Sequence, residues 1–203
     1  MVTRSRLAEA AERLWADGVV ASFEHHREIG STNDDAKRWS KSFDPSPTSG
    51  WHLVTTDRQT AGRGRRGRRF DSDSGTLTFT LGRRFIPDPN GGIWFAVASA
   101  VADALRDVLG PESDSIVTVK PPNDVLVDRK KVVGILIERT AQATIIGIGL
   151  NVQTVPTLTD RRDENAPPPG CLGTDINIAD VLNAVVRHTT AIHPVTAAPV
   201  QSP

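Results

Sequence analysis

The chain's most unusual stretch is Gln59-Thr60-Ala61-Gly62-Arg63-Gly64-Arg65-Arg66-Gly67-Arg68-Arg69-Phe70, where glycines alternate with arginines. Glycine lets the main chain approach a ligand closely and adopt positive φ, and a guanidinium offers forked donors to phosphate or carboxylate oxygens. An anionic ligand would order such a loop. The same composition also suits a solvated basic loop or a nucleic-acid tether, and the residues around it must decide. A second candidate is Lys120-Pro121-Pro122-Asn123-Asp124, whose lysine follows the apolar run 116–119 and precedes a turn fixed by proline. A lysine held in this way can neutralise a carboxylate and the phosphate it attacks. Read alone, it is more often an ordinary surface lysine. Ser31-Thr32-Asn33 brings hydroxyls and an amide that could bind a small polar ring or merely cap the next helix. Gly147-Ile148-Gly149-Leu150-Asn151 closes an apolar run with two glycines and an amide, which permits close approach of a ligand such as adenine.

These groups need a scaffold, and the composition allows one. The 203 residues, 38% hydrophobic, can bury one substantial core. The 24 basic and 24 acidic residues cancel, so the global charge gives no reason to expect nucleic acid or an anionic membrane as partner. Cys171 stands alone, which excludes an internal disulfide and a zinc site built from several cysteines, and fits a reducing compartment. No run approaches the roughly 20 apolar residues of a membrane span. The expectation is a soluble, cytoplasmic protein.

Leu7, Ala11, Leu14 and Trp15 recur at helical spacing before Gly18, which predicts an opening amphipathic helix. An extended run is expected over 19–29, then a helix with Ala36 and Trp39, capped by Ser31 or Thr32. Residues 42–50 read as a loop, and 53–56 and 77–81 as strands flanking the Gly/Arg segment. Phe95, Val97, Ala98, Val101, Ala102 and Leu105 predict a helix over 93–109, stopped by Gly110 and Pro111. Short strands follow at 116–119, 125–127, 132–137 and 143–150, and the turn Asp128-Arg129-Lys130 suggests an antiparallel hairpin. The sum is a mixed sheet backed by helices. Residues 160–170 read as an exposed connection, and Asn177 caps a last helix carrying Ile178, Val181, Leu182, Val185 and Val186. The tail 194–203 reads as disordered.

Taken in order, STN at 31–33, QTAGRGRRGR at 59–68, KPPND at 120–124, KVVGIL at 131–136 and GIGLN at 147–151 resemble the bacterial biotin protein ligases, over residues 20–155. The resemblance implies an α+β catalytic domain over 1–193, with a mixed, largely antiparallel sheet and flanking helices, related to class II aminoacyl-tRNA synthetases and lipoate ligases. It implies biotin and ATP as substrates, Mg²⁺ as helper ion and biotinyl-5'-AMP as intermediate. The implied acceptor is a lysine of a biotin carboxyl carrier protein or domain of acetyl-CoA or acyl-CoA carboxylase. By this likeness Ser31, Thr32, Asn33 and Gln59 line the ureido end of biotin, and Gly62, Arg63, Gly64 and Arg65 fold over biotin and its adenylate. Gly134 allows close backbone approach. Lys120, bridging the biotin carboxyl and the α-phosphate, is the expected catalytic residue together with Arg65. Arg63, Arg65, Arg68, Phe70, Asn123 and Asn151 are the expected nucleotide contacts, and no residue is assigned to a metal. A monomer or weak homodimer is implied, with neither DNA nor membrane as partner.

The chain departs from the family at several places. Pro121 stands where the family usually has tryptophan, which removes aromatic surface and a backbone N–H. Val133-Gly134 replaces a glycine pair, so a side chain at Val133 is expected to crowd the pocket. Phe70 replaces a tryptophan and keeps a ring. The small β-barrel that commonly follows the last helix and the helix-turn-helix of some relatives are expected to be absent, so transcriptional repression is not expected. Two other readings stay open on these grounds: a lipoate or octanoate ligase, which would bind an aliphatic chain, and a non-catalytic module that binds biotin or its adenylate. An RNA-binding Gly/Arg loop would instead give strongly salt-dependent affinity.

Overall fold

Strand alternation sorts this sequence into an apolar and a polar face of one sheet. The computed structural model describes residues 4–42, 50–70, 72–84, 86, 88, 91–114, 116–155 and 166–192. In chain order these form α1 (Arg6–Ala16), β1 (Ser22–His26), α2 (Thr32–Lys41), β2 (His52–Thr56), β3 (Thr76–Arg84), α3 (Ile93–Leu109), β4 (Val117–Lys120), β5 (Asp124–Val127), β6 (Lys130–Arg139), β7 (Ala143–Asn151) and α4 (Ile178–Thr190). The strands lie in the order β1-β2-β3-β7-β6-β5-β4. β1 and β2 are parallel and every other neighbouring pair is antiparallel, giving the mixed, largely antiparallel sheet that the sequence predicts.

Because side chains alternate across a strand, the register assigns each residue a face. Leu53, Leu81 and Ile146 align on one face, as do Phe79, Ile148 and Ile135, and Leu77, Leu150 and Val133. All are buried in one core with α1, α3 and α4, through residues such as Leu14, Val101, Leu105 and Leu182. Burying each such side chain contributes about 1.5–3 kcal/mol, so this face ties the sheet to its three helices. The opposite face is small and polar: Thr78 and Thr80 on β3, Gly147 and Gly149 on β7, Gly134 on β6, Asp124 on β5 and Lys120 on β4. α2 crosses this face, seated by a minor cluster of Ala36, Val54, Ala143 and Ile145.

The helix expected at 93–109 has those bounds, and Gly110 ends it at φ 85°. Asn177 caps α4 by accepting from Ala179 N–H, and the 128–130 hairpin turns through Asp128 and Arg129, both at positive φ. Three expectations need correction. Trp15 is 51% exposed, because the buried stripe of α1 follows Leu7, Ala11 and Leu14 and leaves the next position facing outward. The extended run of 19–29 narrows to β1. Ser31 occupies the N-cap position of α2, yet neither it nor Thr32 caps through its side chain. The loop expected at 42–50, the connection at 160–170 and the tail at 194–203 fall largely or wholly outside the described residues. Among the described residues no helix is long and apolar enough to cross a membrane.

Candidate active site

Lys120 is the last residue of β4 and faces Asp124, the first of β5, across the exposed turn Pro121-Pro122. The Lys120 side chain is half-buried and has no hydrogen bond or ion pair among the described residues. Asp124 is neutralised by Lys131 at 2.7 Å. The lysine therefore keeps its charge available at the rim of the polar face. Next to it, Gly134 pairs with Asp124 on one side and Gly149 on the other. A Cβ built on Gly134 would meet only the end of the Lys131 side chain, at 3.7 Å, so this flexible chain end is what covers the backbone here.

The Gly/Arg loop closes on itself before reaching this floor. Phe70 N–H donates to Gly62 O at 2.9 Å and Gly64 N–H to Arg68 O at 2.7 Å. Gly62 is obligatory for this closure, since a Cβ would sit 2.5 Å from Phe70 O. The loop ends by laying the Phe70 ring on the sheet above Gly149, whose absent Cβ would stand 2.5 Å from the ring. Arg65 Nη1 donates to Asn123 Oδ1 at 3.2 Å and so joins the loop to the Lys120 turn. Arg63 is differently engaged. Its guanidinium makes a forked pair with Asp34 of α2, with Nη1 to Oδ2 at 2.8 Å. The hydrogen bond from Arg63 holds the Asp34 carboxyl below its ordinary range despite partial burial. Arg63 thus tethers the loop to α2. Arg68 is exposed and its side chain has no partner among the described residues.

The Ser-Thr-Asn run begins α2 beneath this loop. Thr32 N–H and Oγ1 both reach Gln59 Oε1, at 2.8 and 3.1 Å. Asn33 accepts from Thr80 Oγ1 at 2.6 Å and donates to Glu138 Oε2 at 2.8 Å, and Lys37 anchors Glu138 at 2.6 Å. The amide of Asn33 fills the notch left by Gly147, where a Cβ would lie 2.1 Å from Asn33 Oδ1. Gly147 and Gly149 therefore seat the protein's own Asn33 and Phe70, a correction to the expectation that they leave room for adenine. What stays available is the Ser31 hydroxyl, on a residue only 6% exposed, and Gln59 Nε2.

At the end of β7, Asn151 donates from Nδ2 to Gly170 O at 2.9 Å, while its Oδ1 is buried without a partner. Val133 does not crowd this side, contrary to expectation: it points into the apolar core, fully buried, and Gly134 alone faces the cradle. Asp34, Thr80, Lys131 and Glu138 escape the sequence reading. They are ordinary polar residues until the strand register puts them against the motifs.

Residues 29–153 match the biotin/lipoate A/B protein ligase family. Over 151 residues the chain is 36% identical to a biotin--[acetyl-CoA-carboxylase] ligase of Paracoccus denitrificans, an alignment covering 69% of this chain and 56% of that protein. The fold matches the biotin protein ligase of Leishmania major in complex with biotinyl-5-AMP, with TM-score 0.70 and 26% identity over 84% of this chain and 74% of that one. It also matches the Aquifex aeolicus biotin protein ligase in complex with biotin and ATP, with TM-score 0.61 and 27% identity over 83% and 68%. The chain spans about half the length of the curated relatives it matches. With its family match running from just before α2 to just past β7, across the whole cradle, the chain belongs to the biotin/lipoate A/B protein ligase family.

Proposed function

We propose that this chain joins biotin to a lysine of a carboxylase carrier domain, using ATP and passing through biotinyl-5'-AMP. The observation that carries the reading is the Arg65–Asn123 hydrogen bond, which links the Gly/Arg loop to the Lys120 turn beside Gly134. The relatives named for biotin, ATP and biotinyl-5-AMP support the choice of substrates.

In the first step a biotin carboxylate oxygen attacks the α-phosphorus of ATP. A P–O bond forms, the bond to the β-phosphate breaks, and pyrophosphate leaves. The Lys120 ammonium offsets the repulsion between carboxylate and phosphate and the charge that grows between them. Arg65 and Arg68 add guanidinium donors to the phosphate, and Phe70 supplies an aromatic surface. In the second step an uncharged carrier lysine attacks the acyl carbon. A C–N bond forms, AMP departs, and the amine loses a proton to solvent. Ser31 Oγ and Gln59 Nε2 are the groups open to the ureido ring, with Thr32 holding Gln59 in place and Asn33 tying the start of α2 to β3. The unpartnered Asn151 Oδ1 suits an amino donor such as that of adenine. Gly62 and Gly64 shape the loop, and Asn123 positions Arg65. Asp124, ion-paired with Lys131 through one oxygen, is the carboxylate nearest the Lys120 turn and would be the one to hold Mg²⁺. When bound with the nucleotide, Mg²⁺ would supply charge neutralisation at the phosphates. The setting is cytoplasmic, with the protein a monomer or weak homodimer.

The test is exchange of labelled pyrophosphate into ATP with Mg²⁺, offering biotin or lipoate. Exchange is expected with biotin alone, and Lys120→Ala should lower it by about 10²–10³-fold. Tight biotin binding without exchange would overturn the ligase reading, and exchange with lipoate instead of biotin would overturn the substrate.

A further inference from the structure

We propose that Glu24, His26 and Asp35 form a binding site for a divalent transition-metal ion, Zn²⁺ by its donor chemistry, with His52 beside it, on the sheet edge opposite Lys120. Glu24 and His26 stand two apart on β1 and so share a face, the face that carries His52, since Ser22 and His52 are register partners. α2 lays Asp35 over them. His26 Nε2 lies 2.9 Å from Asp35 Oδ2 and 3.5 Å from Glu24 Oε2. The donor atoms of these three residues all fall within 4.8 Å of one another. Tetrahedral Zn²⁺ with bonds of about 2.0–2.2 Å holds its donors roughly 3.3–3.6 Å apart. Only small side-chain adjustments separate the triad from that geometry.

The independent observation is His52. Its side chain is 2% exposed, and its buried Nε2 has no hydrogen-bond partner and faces Glu24 Oε1 at 3.9 Å. Nδ1 lies 2.9 Å from Ser22 Oγ, and the ring stacks on Trp39 with centroids 4.4 Å apart and planes 7° from parallel. An imidazole whose far nitrogen is held by a hydrogen bond and whose near nitrogen has no partner is arranged as metal-ligating histidines are. Arg38 pairs with Asp35 through Oδ1 and leaves Oδ2 on the His26 side.

One imidazole with two carboxylates, and a second imidazole facing Glu24, suits Zn²⁺ or Co²⁺ better than Mg²⁺ or Ca²⁺, which prefer all-oxygen sets. β1 and β4 are the opposite edges of a seven-stranded sheet, roughly 29 Å apart at about 4.8 Å per step. The site is therefore distinct from any ion carried in with ATP. Its occupant would clamp the edge strand to α2, the helix whose first turn holds Thr32 and Asn33.

The test titrates the full chain, stripped with chelator and free of nucleotide and biotin, with Co²⁺ and then displaces it with Zn²⁺. One equivalent giving the visible spectrum of tetrahedral Co²⁺ is expected. His26→Gln and Glu24→Gln should each weaken binding at least about tenfold, whereas His188→Gln, at a separate His–Asp pair, should not. Glu24 is half-exposed, so its variant keeps the test open should a buried substitution unfold the protein. Absence of stoichiometric binding, or equal affinity in all three variants, would overturn the proposal.

Discussion

At the residue scale, the site is built by pairs in which one member is a glycine. Gly147 receives Asn33 and Gly149 receives Phe70, each across a gap that a single methyl would close. Gly147→Ala should therefore destabilise the fold by about 1–3 kcal/mol, the usual cost of forcing atoms into a filled space, as read by urea unfolding. The double variant Gly147→Ala with Asn33→Ser should recover part of that loss. Lys120 and Gly62 were legible in the sequence because a lone lysine before a proline turn and a glycine among arginines are conspicuous. The mate of each glycine was not legible, because nothing near Asn33 in the chain points to β7.

At the element scale, the Gly/Arg loop is held at two points: by Arg65 to the Lys120 turn and by Arg63 to α2. In the sequence Arg63 reads as a ligand contact just as Arg65 does, since a guanidinium facing a phosphate and one facing a carboxylate look alike in one dimension. The Arg63–Asp34 tether makes a definite pH prediction. The folded Asp34 carboxyl titrates below its ordinary value of 3.8, so the tether is complete at neutral pH and is lost as pH falls through the lowered value. Asp34→Asn should loosen the loop at neutral pH, raising its rate of tryptic cleavage severalfold. Its destabilisation relative to wild type in urea should shrink towards zero as the medium is acidified. The helices and strands themselves were readable from periodicity, α3 to the residue, because both its buried stripe and its glycine stop lie within the segment.

At the scale of the whole molecule, the sheet separates stability from binding. The apolar face carries the core and the polar face the cradle, and strand parity decides which a substitution touches. Val133 illustrates the point. The family's glycine pair suggests that it crowds the pocket, but one step along β6 reverses the face. Sequence alone cannot settle that parity where the β5–β6 register shifts between Val125 and Leu126. Restoring the pair with Val133→Gly should accordingly cost on the order of 2–3 kcal/mol of stability, through the lost core side chain and the freer backbone. Biotin affinity at a temperature where the variant is folded should stay within about twofold. Calorimetric unfolding and biotin titration of the same sample check both halves.

The seating of Asn33 in the notch of Gly147 also bears on how this chain and its relatives can diverge. Neither position can change without cost while the other stays: a larger residue at 147 is best tolerated alongside a smaller one at 33, and the same holds for 149 with 70. These positions form units of inheritance, and among descendants of this sequence substitutions there should arise as correlated pairs, with the glycine surviving wherever its partner keeps a bulky side chain.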